Sequence, residues 1–196
     1  MNFKNKKVFH RFIFLILLIS LSSCFRKGII TKELTSKRFK VCKIAVFPFY
    51  NLTKNEKLSD MLVQMFTIDM VRKGIEVVEP GLVKNFLFRE RILNPLYIKA
   101  ETLKKFRYET GADIVIGGQI IKVSQVGDNV KLALLIWARS TSTGDFIWYT
   151  FYRREGEDYR KVFHFGKISS LSALAQRMVE EIIKDWENRG FFKCEM

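Results

Sequence analysis

Apolar side chains recur along this chain with two periods, and the switches between them divide it into elements. Residues 41–49, VCKIAVFPF, are almost continuously apolar and rich in β-formers, the pattern of a strand covered on both faces. Pro48 has no N–H to give a ladder, so pairing should end there. From 56 to 73 the spacing changes to three and four. Leu58, Met61, Leu62, Met65, Phe66 and Ile68 form an inward stripe there, with Asp60, Gln64 and Thr67 outside. Gly74 is placed to cap this helix, residues 75–78 make a short strand, and Pro80-Gly81 ends it. Two further helices are predicted, over 82–93 on Val83, Phe86, Leu87 and Ile92, and over 100–110 on Leu103 and Phe106 with Gly111 as the cap. Residues 111–120, GADIVIGGQI, read as a third strand, in which Gly117 and Gly118 predict a close approach by a helix or a neighbouring backbone. A meander follows: Gly127-Asp128-Asn129 turns into a strand over 130–139, and 142–145 turns into another over 146–153. Leu171, Leu174, Ala175, Met178, Ile182 and Trp186 mark a last helix over 170–188, with Ser169 or Ser170 as its N-cap and Glu180, Glu181, Lys184, Asp185 and Glu187 facing water.

These elements predict one α/β domain over 41–190, with a mixed five-stranded sheet in the order β-α-β-α-α-β-β-β-α. It ends in a C-terminal meander and a final helix, and a short tail occupies 191–196.

The segment before the domain has a different logic. Lys4, Lys6, Lys7 and Arg11 precede an apolar run at 12–19, and the run is followed by Leu21-Ser22-Ser23-Cys24. Basic, apolar and small residues in that order are the layout of a secretory signal peptide. The run is well short of the roughly 20 apolar residues that a spanning helix needs. The last four residues resemble a bacterial lipobox, which predicts cleavage between Ser23 and Cys24, removal of residues 1–23, and lipidation of the Cys24 thiol. The acyl chains, palmitate among them, would then hold the protein to a membrane. Residues 25–40 carry six basic residues and only Glu33, with no clear apolar period. The stretch 24–40 therefore reads as a lipidated, flexible basic tether, with a coil dimension of roughly 20–25 Å.

Charge and cysteines narrow the partners. The chain has 34 basic and 20 acidic residues, a balance of +14; residues 1–23 hold four of the basic residues and no acid, which leaves 30 against 20, or +10. Such a surface attracts anions. A secreted lipoprotein does not meet the genome, so nucleic acid is not the expected partner, and anionic lipid head groups or an envelope protein are. With Cys24 lipidated, Cys42 and Cys194 remain; an oxidising compartment would let them pair, but spacing alone does not place their Cα atoms. His164 is the only histidine after the signal, so a metal site is not expected.

KIAVFPFYN at the first strand, GIEVVEP after the first helix and GADIVIGGQI before the hairpin resemble one group of periplasmic lipoprotein domains. That group includes the N-terminal domain of TolB, the curli-secretion lipoprotein (CsgG-like) and the lipoprotein activators of penicillin-binding proteins. The likeness covers about 41–188. It rests on Ile44, Val46, Pro48 and Phe49, on Val77, Val78 and Glu79, on Gly111, Ala112, Asp113, Gly118 and Ile120, and on Thr143-Gly144. These are fold-keeping positions, so the resemblance implies architecture more than activity. It departs from the curli pore in lacking long alternating inserts, and from the activators in having a short tether without proline. Phe25 after the cysteine, in place of aspartate, resembles the sorting pattern for the periplasmic face of the outer membrane.

No Gly-x-Ser-x-Gly elbow, phosphate-binding loop or His-Glu-x-x-His motif occurs, so a non-enzymatic protein without cofactors is expected. The candidate binding residues are Arg153, Arg154, Tyr159, Arg160 and Lys161, a basic and aromatic cluster between the meander and the last helix. The sequence therefore predicts a lipid-anchored adaptor for an envelope protein or assembly. The alternative is a self-associating subunit of a secretion- or motility-associated ring.

Overall fold

The computed structural model describes residues 28–35, 41–161, 165–192 and 194. Cys24, Ser23 and His164 lie outside the described residues. Within them, seven strands and four helices follow one another as β1 (Ile30–Glu33), β2 (Lys43–Val46), β3 (Tyr50–Asn51), α1 (Leu58–Arg72), β4 (Glu76–Val77), α2 (Pro80–Arg89), α3 (Ala100–Thr110), β5 (Ile114–Val126), β6 (Asn129–Ser140), β7 (Phe146–Glu155) and α4 (Leu171–Asn188). The spatial order is β1-β7-β6-β5-β2-β4, and β3 pairs with β5. The β2, β3, β4 and β5 pairings are parallel, whereas β5, β6, β7 and β1 form an antiparallel run.

The sheet has seven strands, not five, and both additions have local causes. Pro48 interrupts the pairing of β2 with β5 but does not end it. The Phe47 N–H still donates to Ile116 O at 2.7 Å, the Phe49 N–H turns to Ser59 Oγ at 3.0 Å, and pairing resumes at Tyr50 opposite Gln119. The second addition corrects the tether. Ile30–Glu33 is a β-strand on the free edge of β7, paired in register from Ile30 opposite Phe151 to Glu33 opposite Trp148. Its docking rests on polar contacts that a hydrophobic pattern cannot reveal: Thr31 Oγ1 lies 3.0 Å from Thr150 Oγ1 and donates to Asp185 Oδ2 of α4 at 2.8 Å.

One face of the sheet is covered by α1 and α4. Ile44, Val46, Ile116, Leu134, Ile136 and Trp148 meet Leu62, Phe66, Met178 and Trp186 in a single buried cluster. Phe66 stacks on Trp186 with ring centroids 5.9 Å apart, Trp148 meets Trp186 edge-on at 5.6 Å, and the Trp186 indole donates to Thr150 Oγ1 at 2.7 Å. Burying each such side chain contributes about 1.5–3 kcal/mol. The α1 stripe turns one residue from the expected one: Ile68 is half exposed, and Asp69 takes the inward position. From Leu62 and Phe66, a 3.6-residue period leads to 69 and 70, not 68. Asp69 is tolerated there because Arg72 Nη1 and Gln176 Nε2 of α4 donate to it at 3.1 and 2.8 Å.

The other face carries α2 and α3, which cover only the β2 end. Phe47, Phe86 and Phe106 pack edge to face at 4.9–5.2 Å, with Val115 and Trp137 below them. Gly117 admits Trp137: a Cβ there would sit 2.4 Å from the ring. Gly118 would meet Leu135 O at 2.6 Å and the Phe49 ring at 2.7 Å, so the approach predicted at these glycines is made by rings and one cross-strand carbonyl, not by a helix. Asp113 accepts from the Cys42 and Lys43 N–H groups at 2.9 and 3.1 Å and pairs with Arg107, which fixes the start of β2.

Cys42 and Cys194 form a disulfide that closes 152 residues, with the Cα atoms 4.7 Å apart. Past α4, Phe191 stacks on Trp148 at 4.3 Å, and Phe192 lies against Trp186.

Candidate functional site

The predicted cluster does not form one surface. Along β7 successive side chains point to opposite faces, so Arg153 and Arg154 separate. Arg154 turns toward α4, where its guanidinium lies over the Tyr152 ring at 4.7 Å and its Nε is 3.8 Å from Glu181 Oε2. Tyr159, held by the short 3-10 turn Gly156–Tyr159, donates to the same carboxylate oxygen at 2.9 Å, and Tyr152 also donates to it. Arg177 Nε completes the set at 3.3 Å from Glu181 Oε1. Glu181 is thus not on the solvated face of its helix as expected. It is the acceptor that joins α4 to β7, while its neighbour Glu180 stays exposed with Arg177.

Burial, aided by Glu181, pushes both phenols well above the ordinary tyrosine range. Burial opposes the Arg154 charge, but the neighbouring Tyr152, Tyr159 and Glu181 raise its affinity for the proton on balance. The arrangement gathers two neutral phenols and two guanidinium groups on the Glu181 carboxylate, a clasp that ties α4 to β7. Arg153, Arg160 and Lys161 do reach solvent. Arg153 pairs with Glu155 at 2.9 Å and Arg160 with Glu157 at 2.6 Å.

Two apolar surfaces that the sequence reading did not single out are more exposed. The first lies past α2. Its C-terminus comes at Arg89, earlier than expected, and Arg91 turns the chain at a φ of 56°. This turn leaves Phe88 88% and Leu93 96% exposed. With Pro48, Leu87, Ile92 and Pro95 they line a groove of about 390 Å³, with Lys84 and Arg91 also in its lining. The available signal was that Phe88 and Leu93 fall off the Val83, Phe86 and Leu87 stripe. The second surface is the part of the sheet beyond α2 and α3. Register aligns Tyr50, Gln119, Leu135, Phe151 and Ile30 in one row across five strands. Ile30, Tyr50 and Phe151 are exposed.

A larger cleft of about 580 Å³ between α1 and α4 is lined by Asp69, Arg72, Lys73, Arg177, Glu180 and Glu181. These six pair with each other or with Glu187, and Lys184 also lines the cleft. Among the described residues no group of three or more His, Cys, Asp and Glu side chains is placed to hold a metal ion, and no helix is long and apolar enough to cross a membrane.

No protein-family model matches this chain, and no curated protein matches it in sequence. Solved structures do share its fold. PelC from Paraburkholderia phytofirmans, a dodecamer in its crystals, superposes with a TM-score of 0.55 at 14% identity, over 80% of this chain and 94% of that one. Lipoprotein GNA1162 from Neisseria meningitidis gives 0.53 at 15% identity, over 75% and 99%. The hypothetical protein CT253 from Chlamydia trachomatis gives 0.52 at 11% identity, over 74% and 95%. At these identities the likeness shows the fold alone. That fold is one on which at least one lipoprotein is built.

Proposed function

We propose that the chain is a lipid-anchored, non-enzymatic adaptor of the bacterial cell envelope, related to the TolB and CsgG-like lipoprotein domains. In this reading Cys24 is lipidated after removal of residues 1–23, and the domain works at the periplasmic face of the outer membrane. The order of basic, apolar and small residues before Cys24 supports the anchor. The observation that carries the adaptor role is the Phe88–Leu93 groove, where two large apolar side chains stand almost fully in water beside a concave lining of Leu87, Ile92, Pro48 and Pro95. A partly enclosed apolar pocket with basic residues beside it is the form of a docking site for a protein segment. A photo-crosslinking residue at position 88, compared in cells with one at exposed Lys54, tests it. A discrete adduct from 88 alone is expected; no adduct at either position would remove the groove from the account.

The second reading, a self-associating subunit, is favoured by the Tyr50-to-Ile30 row and by the dodecameric state of PelC. The solution mass of the delipidated protein separates the two: a monomer supports the adaptor, and a closed ring supports the subunit.

A further inference from the structure

The docking of β1 fixes where the anchored end of the chain leaves the domain. β1 runs antiparallel to β7, so the chain enters the sheet beside Phe151, toward the end where β7 finishes at Glu155. Cys24 precedes Gly28, the first described residue, by four residues, and an extended chain spans at most about 3.3–3.6 Å per residue. The lipid-bearing residue therefore lies no more than about 14 Å from Gly28. The opposite end of the sheet, at the turn before Phe146, is about 30 Å further along the ten residues of β7.

The near end has its own character. Val126 at the β5–β6 turn is 73% exposed and Phe165 is 74% exposed. Lys167 brings the two segments together by donating to Asp128 Oδ2 at 2.6 Å and Asn129 Oδ1 at 3.1 Å. The basic residues here, Lys131, Arg153, Arg160, Lys161 and Lys167, outnumber the acids Asp128, Glu155, Glu157 and Asp158 by one. Exposed apolar tips amid basic side chains, on a short leash, are the elements of interfacial membrane contact.

We propose that this end of the domain is a second membrane contact, seated on the anionic lipid surface that holds the anchor. Val126 and Phe165 enter the head-group layer, and Arg153, Arg160 and Lys161 meet lipid phosphates. The proposal rests on attachment at Cys24. Its consequence is a fixed orientation, because two contacts remove the free rotation that a single tether allows.

The test supplies the attachment chemically, so it does not depend on whether cells lipidate the cysteine. Cys42 and Cys194 are bridged, which leaves Cys24 as the thiol for coupling the mature chain to maleimide lipid on vesicles. The native tryptophans are all buried, so Phe165→Trp introduces an exposed one, and Tyr108→Trp, on α3 and 91% exposed, serves as the control. The vesicles are phosphatidylethanolamine and phosphatidylglycerol doped with brominated lipid. On them the fluorescence that Phe165→Trp adds to wild type should fall at least twofold, and the fluorescence that Tyr108→Trp adds should not. The loss should vanish on phosphatidylcholine, and with Arg160→Glu plus Lys161→Glu. Equal quenching at both positions, or none at either, overturns the proposal; the latter returns these residues to a protein partner. Fatty-acid labelling of wild type against Cys24→Ala decides cellular lipidation separately.

Discussion

The two faces of the sheet use similar side chains to opposite ends. On the α1–α4 face most large apolar residues of the central strands are enclosed, and two polar groups have partners there: Thr150 takes the Trp186 indole, and Asp69 takes Gln176, while the Trp148 indole N–H is buried without one among the described residues. On the other face α2 and α3 enclose Phe47, Phe86, Phe106 and Trp137 and then stop, leaving Phe151 and Ile30 on the sheet, and Phe88 and Leu93 at the groove, in contact with water. Exposed surface of this kind adds nothing to stability. Folding free energy therefore comes from the residues that each face encloses, and the apolar residues left exposed past α2 and α3 are free to carry binding.

The largest way to break this division is Trp186→Ala. It removes the ring that meets Phe66 and Trp148 and leaves Thr150 without its donor, so about 3–5 kcal/mol should be lost in chemical denaturation. Cys194→Ser comes next, at about 2–5 kcal/mol, because it releases a 152-residue loop together with the Phe191 and Phe192 contacts. Reducing agent should bring wild type down to the same stability. A smaller loss, about 1 kcal/mol, is expected for Thr31→Val, which deletes the hydroxyl between Thr150 and Asp185; hydrogen exchange should then quicken in β1 and nowhere else.

Alkaline pH sharpens the comparison further. Tyr152 and Tyr159 are held neutral in the fold by burial and by Glu181, above the value near 10 of an unfolded phenol. Their contribution is complete below that pH and is lost as pH rises above it, because the unfolded chain then binds fewer protons. Stability should fall from about pH 10 upward, and Tyr159→Phe should flatten that fall.

Much of this architecture was legible from periodicity. The α4 stripe, its Ser170 cap and the bounds of α3 follow from spacing three and four, and Ser170 Oγ does accept from the Ala173 N–H. What escaped has one physical character: it depends on partners distant in sequence. β1 lacks an apolar period because a hydroxyl and a backbone ladder hold it to β7 and α4. Glu181 reads as a solvated charge until β7 brings two tyrosines to it, and nothing local marks Asp69 as an inward position until α4 brings Gln176 to it. The disulfide needed the path of the whole chain. The basic cluster named from sequence was divided by strand alternation, which one residue of spacing would have revealed. The groove was present as two apolar residues off the α2 stripe.

Binding through the apolar residues that the core leaves exposed, Phe88 and Leu93 foremost, makes a sharp forecast for the double variant Phe88→Asp, Leu93→Asp. Thermal stability should stay within about 0.5 kcal/mol of wild type, because both side chains are already in water. A photo-crosslinking residue at exposed Lys84, which lines the groove, should give a discrete adduct in cells in the otherwise wild-type chain and none in the double variant. A variant that keeps the adduct, or that loses it only by unfolding, would contradict the account.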